Sequence, residues 1–331
     1  MEKQRVSYAE FVAQQEAKNR QGTVAWVINR YMTEMNGWNG SPPVRLFKAS
    51  QIYTLKMVAR SPIGNVMAAL LTRKDVIEHA TMRQAAGIKP QTVMQDLTFL
   101  SGALKYAGSN PKWEGCEEIT AAPVVAAKPF LLAHGLIGKS ARRTRRPTSD
   151  ELEALIEYFE AQNRLKRTRT DMVRVTLWQN YSGRRISETC RLLWTDWDRA
   201  KETIVVRAMK DPKRRDKTKT LALTPEAQQF LVALWDIRDP DEKRIFPYCS
   251  KTCSARHTLA KHALAERFPG IETLRLHDNR RDRCSKLVEQ GYSPQQGILV
   301  SGHDTVTVFE QTYMQIDVGL FKQGPQQAAR A

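Results

Sequence analysis

The chain has 331 residues and carries 52 lysines and arginines against 35 aspartates and glutamates, for a formal net charge of +17. Because these cations are clustered, the excess favours a polyanionic partner such as nucleic acid over an ordinary solvated surface. No run of about 18 apolar residues and no apolar leader is present. We therefore expect no membrane partner. The five cysteines are scattered, so we expect reduced thiols in a cytoplasmic protein. The length leaves room for two domains.

The first part of the chain has the apolar spacing of helices. No strand-rich segment, repeat or low-complexity tract precedes residue 140. The helical patterns lie at 23–35, 47–60, 73–86 and 91–107. We therefore predict a helical N-terminal domain at 1–138. Within it, Pro123 and Pro129 interrupt an apolar stretch, where we expect irregular chain followed by a short helix at 130–136.

A basic segment at 139–147 follows and is predicted to link the two domains. Its arginines are expected to lie across a nucleic-acid backbone and contact phosphates. They are Arg142, Arg143, Arg145 and Arg146. Directly after them, Thr148 and Glu151 have the spacing of a capping box, which predicts the first helix of a C-terminal domain at 148–331.

The C-terminal domain is predicted to contain one β-hairpin among helices, so the fold class is mainly α with a small β-hairpin or sheet. The two strands lie at 203–207 and 218–223 and flank a polar turn. The turn holds the basic residues Lys210, Lys213, Arg214 and Arg215, and the last three are expected to contact nucleic-acid phosphates. Helical patterns precede the hairpin at 152–159 and 171–181 and follow it at 225–237, 253–268, 277–290, 294–301 and 306–314.

Polar groups near the C-terminus suggest chemistry on a phosphate. His277 and Arg280 are three residues apart and would share one face of a helix. His303 follows a glycine, and Tyr313 comes one short helix later. A guanidinium can bind phosphate oxygens, an imidazole can move protons and a phenol can attack. Taken singly, Tyr313 could instead be a half-buried aromatic, and His277 with Arg280 a surface pair.

A second cluster upstream extends this pattern. Gly183-x-Arg185-x-x-Glu188, a lysine in a β-turn, His-x-x-Arg, Gly-His and a tyrosine occur in that order. This order resembles the tyrosine recombinase (phage integrase) family, and the likeness runs from near Pro147 to the end of the chain. No single motif is specific, whereas all of them in order are a strong signal.

The resemblance implies a role for each matching residue. Arg185 and Arg280 would stabilise the extra negative charge on phosphorus, and Glu188 would hold Arg185. Arg184 is a rival for the role of Arg185, although the motif register favours Arg185. Lys210 would give a proton to the leaving 5′ oxygen, and Lys213, Lys217 and Lys219 match the family's position less well. The reaction needs neither metal nor ATP, so no cofactor is expected.

The remaining implied roles belong to three residues. His277 would act as a general acid or base, and His303 would hydrogen-bond the transferring phosphate. Tyr313 would attack the phosphorus and form a 3′-phosphotyrosine. The chain departs from the family's pattern at Ser182, Asn279, Arg281 and Ser301, the last standing where leucine usually precedes Gly-His. None of these departures removes a reactive group.

The resemblance also implies an architecture and partners. A helical core-binding domain and a mixed α/β catalytic domain would form a C-shaped clamp around double-stranded DNA. Four copies would assemble on two paired core sites and exchange strands through a Holliday junction, with room for an accessory DNA-bending protein. The simple two-domain plan is loosely similar to mobile-element integrases and shufflon-type invertases. That likeness implies a bacterial or phage-encoded, nucleoid-associated protein that integrates, excises or inverts DNA.

Two other functions compete with recombination. One is a type IB topoisomerase with the same chemistry, and the other is a sequence-specific DNA-binding protein without catalysis. A zinc site formed by Cys249, Cys253, His257 and His262 is rejected, because the two histidines would lie on different sides of a helix and the Cys-to-His gap is short. We expect core thiols and surface histidines there.

Overall fold

The computed structural model describes residues 21–36, 47–165, 169–207, 209 and 217–313, with only the backbone described for 311–313. The chain divides between Ala141 and Arg142 into two compact units, unit 1 before this point and unit 2 after it. Among the described helices, none combines the length and apolar character needed to cross a membrane.

Unit 1 is helical, as predicted from its apolar spacing. Its α-helices are α1 (Val24–Asn36), α2 (Ala49–Arg60), α3 (Arg73–Ala85), α4 (Pro90–Ser109) and α5 (Ala122–Ala133). In α1 the buried positions Val24, Val27, Ile28 and Tyr31 form one helical stripe facing the core. The boundaries follow local chemistry, because a capping box opens α3 and a proline occupies the first turn of α4.

Helix α5 corrects the expectation of irregular chain around its prolines. Pro123 occupies the first turn, where a missing N–H costs nothing. Pro129 lies inside the helix, which continues to Ala133. Buried contacts of Val124, Ala127 and Leu131 with the unit 1 core account for this tolerance, since tertiary packing outweighs one lost hydrogen bond.

Unit 2 combines helices with a small antiparallel sheet, so the predicted fold class is confirmed. Its order is α6 (Ser149–Arg164), α7 (Met172–Ser182), α8 (Ile186–Thr189), β1 (Trp197–Asp198), β2 (Thr203–Val206), β3 (Lys219–Ala222), α9 (Pro225–Asp236), α10 (Ser250–Leu264), α11 (Leu276–Glu289), α12 (Pro294–Ser301) and α13 (Val306–Tyr313). The strands pair in the order β1-β2-β3, with Val206 opposite Lys219. Periodicity missed β1 because a strand of two residues has no period to detect.

Helix α11 lies inside unit 2 although much of it is charged. Its residues from Asp278 to Ser285 are buried, and so is Leu287. Buried charges require partners. Carboxylates of α11 meet Arg143 and Arg146, and Arg283 meets Glu226 at 3.0 Å.

Ion pairs hold three of the four arginines of the basic segment, for which the sequence predicted phosphate contacts. Arg143 binds Asp278 at 2.5 Å and Arg146 binds Asp282 at 2.8 Å. Arg145 pairs with Glu151 on α6. The carboxylates that these three arginines bind are buried, and a buried carboxylate without a cation beside it is unfavourable. The ion pairs therefore hold the three arginines in unit 2. The fourth, Arg142, is exposed.

Candidate active site

The end of α7 sets the direction of two adjacent arginines. Gly183 adopts φ +65° and closes the helix by donating its N–H to Gln179 O at 2.9 Å. This left-handed turn is the conformation that glycine adopts without strain. The next two residues, Arg184 and Arg185, leave the turn in different directions, one into the core and the other toward solvent.

Arg185 is held by Glu188 at the start of α8. Its Nη1 donates to Glu188 Oε1 at 2.6 Å, and its backbone N–H donates to Oε2 at 3.2 Å. The Glu188 side chain is buried, whereas that of Arg185 remains 27% exposed. The pair therefore fixes the base of Arg185 while leaving the guanidinium accessible to an incoming anion.

Arg184 is buried and serves the backbone instead. Its guanidinium donates to Val300 O and, at 3.3 Å, to Ser182 O. Burial, together with the charge of Arg280, lowers the pKa of Arg184 to about 9. The geometry favours Arg185 over Arg184 as the arginine that meets a substrate.

Arg280 joins α11 to the turn at Gly183 and to His303. Its Nη1 donates to Gly183 O at 2.8 Å, and its Nη2 donates to His303 Nε2 at 2.8 Å. The residue is 0% exposed, so the guanidinium is oriented before any ligand arrives. Three segments that are far apart in the sequence thereby meet at Arg280.

His303 is held on several sides. Gly302 ends α12 with φ +73° and donates its N–H to Ile298 O. The Nδ1 atom lies 2.6 Å from Ser301 Oγ, and the ring packs edge-on against Phe309. Because arginine only donates, Nε2 is assigned as the acceptor and Nδ1 as the protonated nitrogen. Burial and the charge of Arg280 lower the pKa of His303 to about 2, so the ring is neutral near pH 7.

His277 lies in the first turn of α11, three residues before Arg280. Desolvation by neighbouring atoms and the charges of Arg280 and Arg185 lower its pKa to about 4. The residue is nevertheless exposed, so solvent weakens the desolvation and the arginine charges are the firmer cause. A neutral imidazole at this position can accept a proton.

A small pocket opens beside these groups. Its volume is about 110 Å³, and its lining includes Arg185, His303, Asp304 and Lys217. Arg185 and Lys217 bring cationic donors to this pocket, which suit a phosphate oxygen, and Asp304 is paired with Lys217. A larger cavity of about 460 Å³ lies in unit 1 against Tyr53, but none of the predicted reactive groups lines it.

The predicted nucleophile stands at the end of α13. Tyr313 is the last residue of that helix, and only its backbone belongs to the described part of the chain. Phe309, one turn earlier, is 0% exposed and packs against Gly297 of α12. The backbone position of Tyr313 is therefore set by packing between α12 and α13. The turn residues Lys210, Lys213, Arg214 and Arg215 lie outside the described residues.

Sequence reasoning missed supporting residues near His303. Ser301, noted only as a departure from the family's pattern, accepts the ring hydrogen bond. Asp304 binds Lys217 at 2.5 Å, and nothing in the sequence pointed to that pair. The polar residue in place of leucine before Gly-His was the one available signal.

The rejected zinc ligands have other surroundings. Cys253 is buried in the unit 2 core, and Cys249 is exposed at the start of α10. His257 is also buried, which corrects the expectation of a surface histidine, whereas His262 is exposed. Burial and the charge of Lys261 lower the pKa of His257 to about 4.

Comparison with known proteins gives concordant matches. The sequence model of the phage integrase family matches residues 145–318. A Haemophilus influenzae protein described as "Putative integrase/recombinase" is 23% identical over 292 residues, which cover 88% of this chain and 86% of that protein.

Two solved structures show the same fold. The Tn1549 transposon integrase in complex with circular intermediate DNA aligns with a TM-score of 0.65 at 13% identity, over 92% of this chain and 99% of that one. A lambda integrase tetramer bound to a Holliday junction aligns with a TM-score of 0.62 at 17% identity, over 100% of this chain and 85% of that one.

Proposed function

The chain belongs to the phage integrase family and is a tyrosine recombinase, and from this we propose how its residues divide the work of site-specific DNA strand exchange. The observation that carries the proposal is the hydrogen bond of 2.8 Å from Arg280 to His303, beside the pocket lined by Arg185 and His303. A phosphodiester in this pocket would meet the guanidinium of Arg185 and the neutral imidazole of His303, to which Arg280 is hydrogen-bonded. The geometry suits charge that develops on non-bridging oxygens.

In the proposed cleavage step, Tyr313 Oη attacks the scissile phosphorus. The phenol proton passes to His277, whose imidazole is neutral near pH 7. The phosphorus–O5′ bond breaks, and Lys210 gives the leaving oxygen its proton. Arg185 and Arg280 stabilise the pentacoordinate phosphorus.

His303 binds the same phosphate through Nε2–H, which requires the ring proton to move from Nδ1 to Nε2 so that Ser301 donates to Nδ1. Glu188 positions Arg185 rather than touching the DNA. The resulting 3′-phosphotyrosine keeps the energy of the broken bond. The 5′-hydroxyl of a partner strand then attacks that phosphorus and gives its proton to Lys210, and Tyr313 leaves with the proton that His277 returns. Because bond energy is conserved, the exchange requires neither ATP nor a metal.

The proposal includes double-stranded core sites and a homotetramer that pairs two of them. The net charge of +17 supports a DNA partner, and the exposed Arg142 is a candidate phosphate contact. A similar protein, lambda integrase, has been crystallised as a tetramer on a Holliday junction. Integration, excision or inversion of a mobile element is the proposed outcome. The enzyme would act in the cytoplasm at the nucleoid, with an accessory protein where the sites require bending.

The topoisomerase-like and non-catalytic alternatives are not favoured by the family and structural matches. Strand exchange between two marked duplexes separates recombination from topoisomerase activity, since a topoisomerase reseals the strand that it cut. A non-catalytic protein would form no covalent complex with DNA.

Trapping the covalent intermediate tests the proposal. A pool of nicked duplexes with randomised core sequences loses the short 5′-hydroxyl fragment after cleavage, so a reacted enzyme stays attached to its DNA. We expect a slow-migrating band on a denaturing gel with the wild-type protein and with Tyr292→Phe, but not with Tyr313→Phe. Sequencing the trapped DNA reports the core site. A band that persists in Tyr313→Phe would refute the assignment of the nucleophile.

A further inference from the structure

Lys217 lies at the edge of the pocket beside the predicted catalytic groups. Its backbone is fixed, because Met209 N–H donates to Lys217 O at 2.9 Å and continues the pairing of β2 with β3. Its side chain is 20% exposed and lines the pocket together with Arg185 and His303. The ammonium is thus close to where a phosphate oxygen would lie.

Asp304 holds this lysine in place. Its Oδ1 accepts from Lys217 Nζ at 2.5 Å and pairs with Lys219 Nζ at 2.7 Å. Lys219 Nζ also donates to His303 O at 3.2 Å. One carboxylate therefore ties the start of β3 to the turn after α12.

This ion cluster is not required to position the imidazole. His303 is already held by Ser301, Arg280 and Phe309. What depends on Asp304 is the start of β3, because that strand has only four residues and is partly exposed to solvent there. The main effect of the ion cluster is therefore to fix the position of the Lys217 ammonium.

The ion pair with Asp304 also indicates how Lys217 would contact a phosphate. A carboxylate at 2.5 Å stabilises the charged ammonium. Such a lysine is suited to hold negative charge and poorly suited to give up its proton. Its function would differ from the proton donation assigned to Lys210.

Resting on the proposed function, we propose that Lys217 is a further catalytic cation that binds a non-bridging oxygen of the scissile phosphate, and that Asp304 is the positioning residue that aims it. The nearest competing explanation is an ordinary surface ion pair, which contributes little to stability and nothing to cleavage.

Single-turnover cleavage of the nicked duplex at saturating DNA tests the pair in the full-length protein. We expect Lys217→Met to cleave about 10- to 100-fold more slowly, less than for a fully buried oxyanion donor because the side chain is partly exposed. Asp304→Asn should cleave about 3- to 10-fold more slowly, since the ammonium remains but is no longer aimed. Asp304→Glu should recover part of that loss.

A second ion pair in the same sheet region provides matched controls. Lys201 Nζ lies 3.3 Å from Asp198 Oδ2, and its side chain is 78% exposed. Lys201→Met and Asp198→Asn remove the same charges away from the pocket, so their cleavage rates should stay within about twofold of wild type. The unfolding midpoints of all variants should also stay close together.

A double-mutant cycle tests whether Asp304 acts by positioning Lys217, and a modified substrate tests whether Lys217 donates a proton. Asp304→Asn should have no further effect in the Lys217→Met background, because it acts through that lysine. A duplex with sulfur at the bridging 5′ position has a leaving group that needs no proton, and the Lys217→Met defect should persist on it.

Three results would overturn the inference. They are wild-type cleavage by Lys217→Met, an equal loss in Lys201→Met, and a Lys217→Met defect that vanishes on the sulfur-bridged duplex, which would make this lysine the proton donor. The proposed function fails independently, if the wild-type protein forms no covalent band with DNA.

Discussion

Replacing Gly297 with alanine should slow DNA cleavage by changing the packing beneath the active site, because the new side chain contacts no reactive group. A Cβ at this position would lie 2.5 Å from Phe309 Cζ and 2.9 Å from Cε1. The ring would have to retreat by about 1 Å to reach ordinary contact in a close-packed interior. Phe309 is 0% exposed, so the displacement passes to α13.

The magnitude follows from two opposing effects. Overpacking costs about 1–3 kcal/mol, while alanine in place of glycine inside a helix returns up to about 1 kcal/mol. We therefore expect the free energy of unfolding to fall by about 0–2.5 kcal/mol. Tyr313 lies one turn beyond Phe309 on the same helix, and an error of about 1 Å in placing a reacting group can cost on the order of 100-fold in rate.

Single-turnover cleavage of the nicked duplex measures the rate, and urea unfolding measures stability. Gly102→Ala in α4 is the matched control, because the nearest atom to its new Cβ is Tyr31 Oη at 3.9 Å. It should stabilise the protein by about 0.5–1 kcal/mol and leave cleavage unchanged. Adding Phe309→Leu to Gly297→Ala should recover part of the rate. Wild-type cleavage in Gly297→Ala would refute the reasoning.

Other variants test the arginines and the buried histidines. Arg184→Met should keep cleavage within about threefold and lower the free energy of unfolding by about 1–3 kcal/mol, because two buried carbonyls lose their donor, whereas Arg185→Met should cleave at least about 100-fold more slowly; equal losses of cleavage would contradict the assignment. His257, with its pKa lowered from 6.5 to about 4 by burial, stays neutral when folded, while the unfolded chain takes up a proton below about pH 6.5. Folding should therefore weaken by about 1.4 kcal/mol per pH unit from pH 6.5 down to about 4, and His257→Phe should flatten urea-measured stability by that slope. Arg146→Met should cost about 2–3 kcal/mol because it strips buried carboxylates of their partner, against about 0.5 kcal/mol or less for Arg142→Met; similar costs would show that the ion pairs contribute little.

Local patterns in the sequence were enough for the helices, the hairpin and the order of the motifs. Apolar spacing encodes the stripe of α1, and the capping box at Thr148 and Glu151 marks the start of α6. The spacing of Gly183, Arg185 and Glu188 places two charges on one turn. Each of these signals lies within a few residues, so it can be seen without knowing what packs against it.

Only the tertiary structure decided how the arginines are used. Arg143 meets Asp278 and Arg146 meets Asp282 across more than a hundred residues of chain, so no local period could reveal that they are held in unit 2. Adjacent Arg184 and Arg185 differ in burial because one leaves the glycine turn toward the core.

The same limit applies to the site's supporting contacts. Ser301 is only a polar residue at the end of α12 until the fold brings Arg280 to the other side of His303. Asp304 acquires a partner only when β3 lies beside the turn after α12. Burial and long-range pairing come from the packing of distant segments, and these two properties decide which charged side chains support the fold and which reach the pocket.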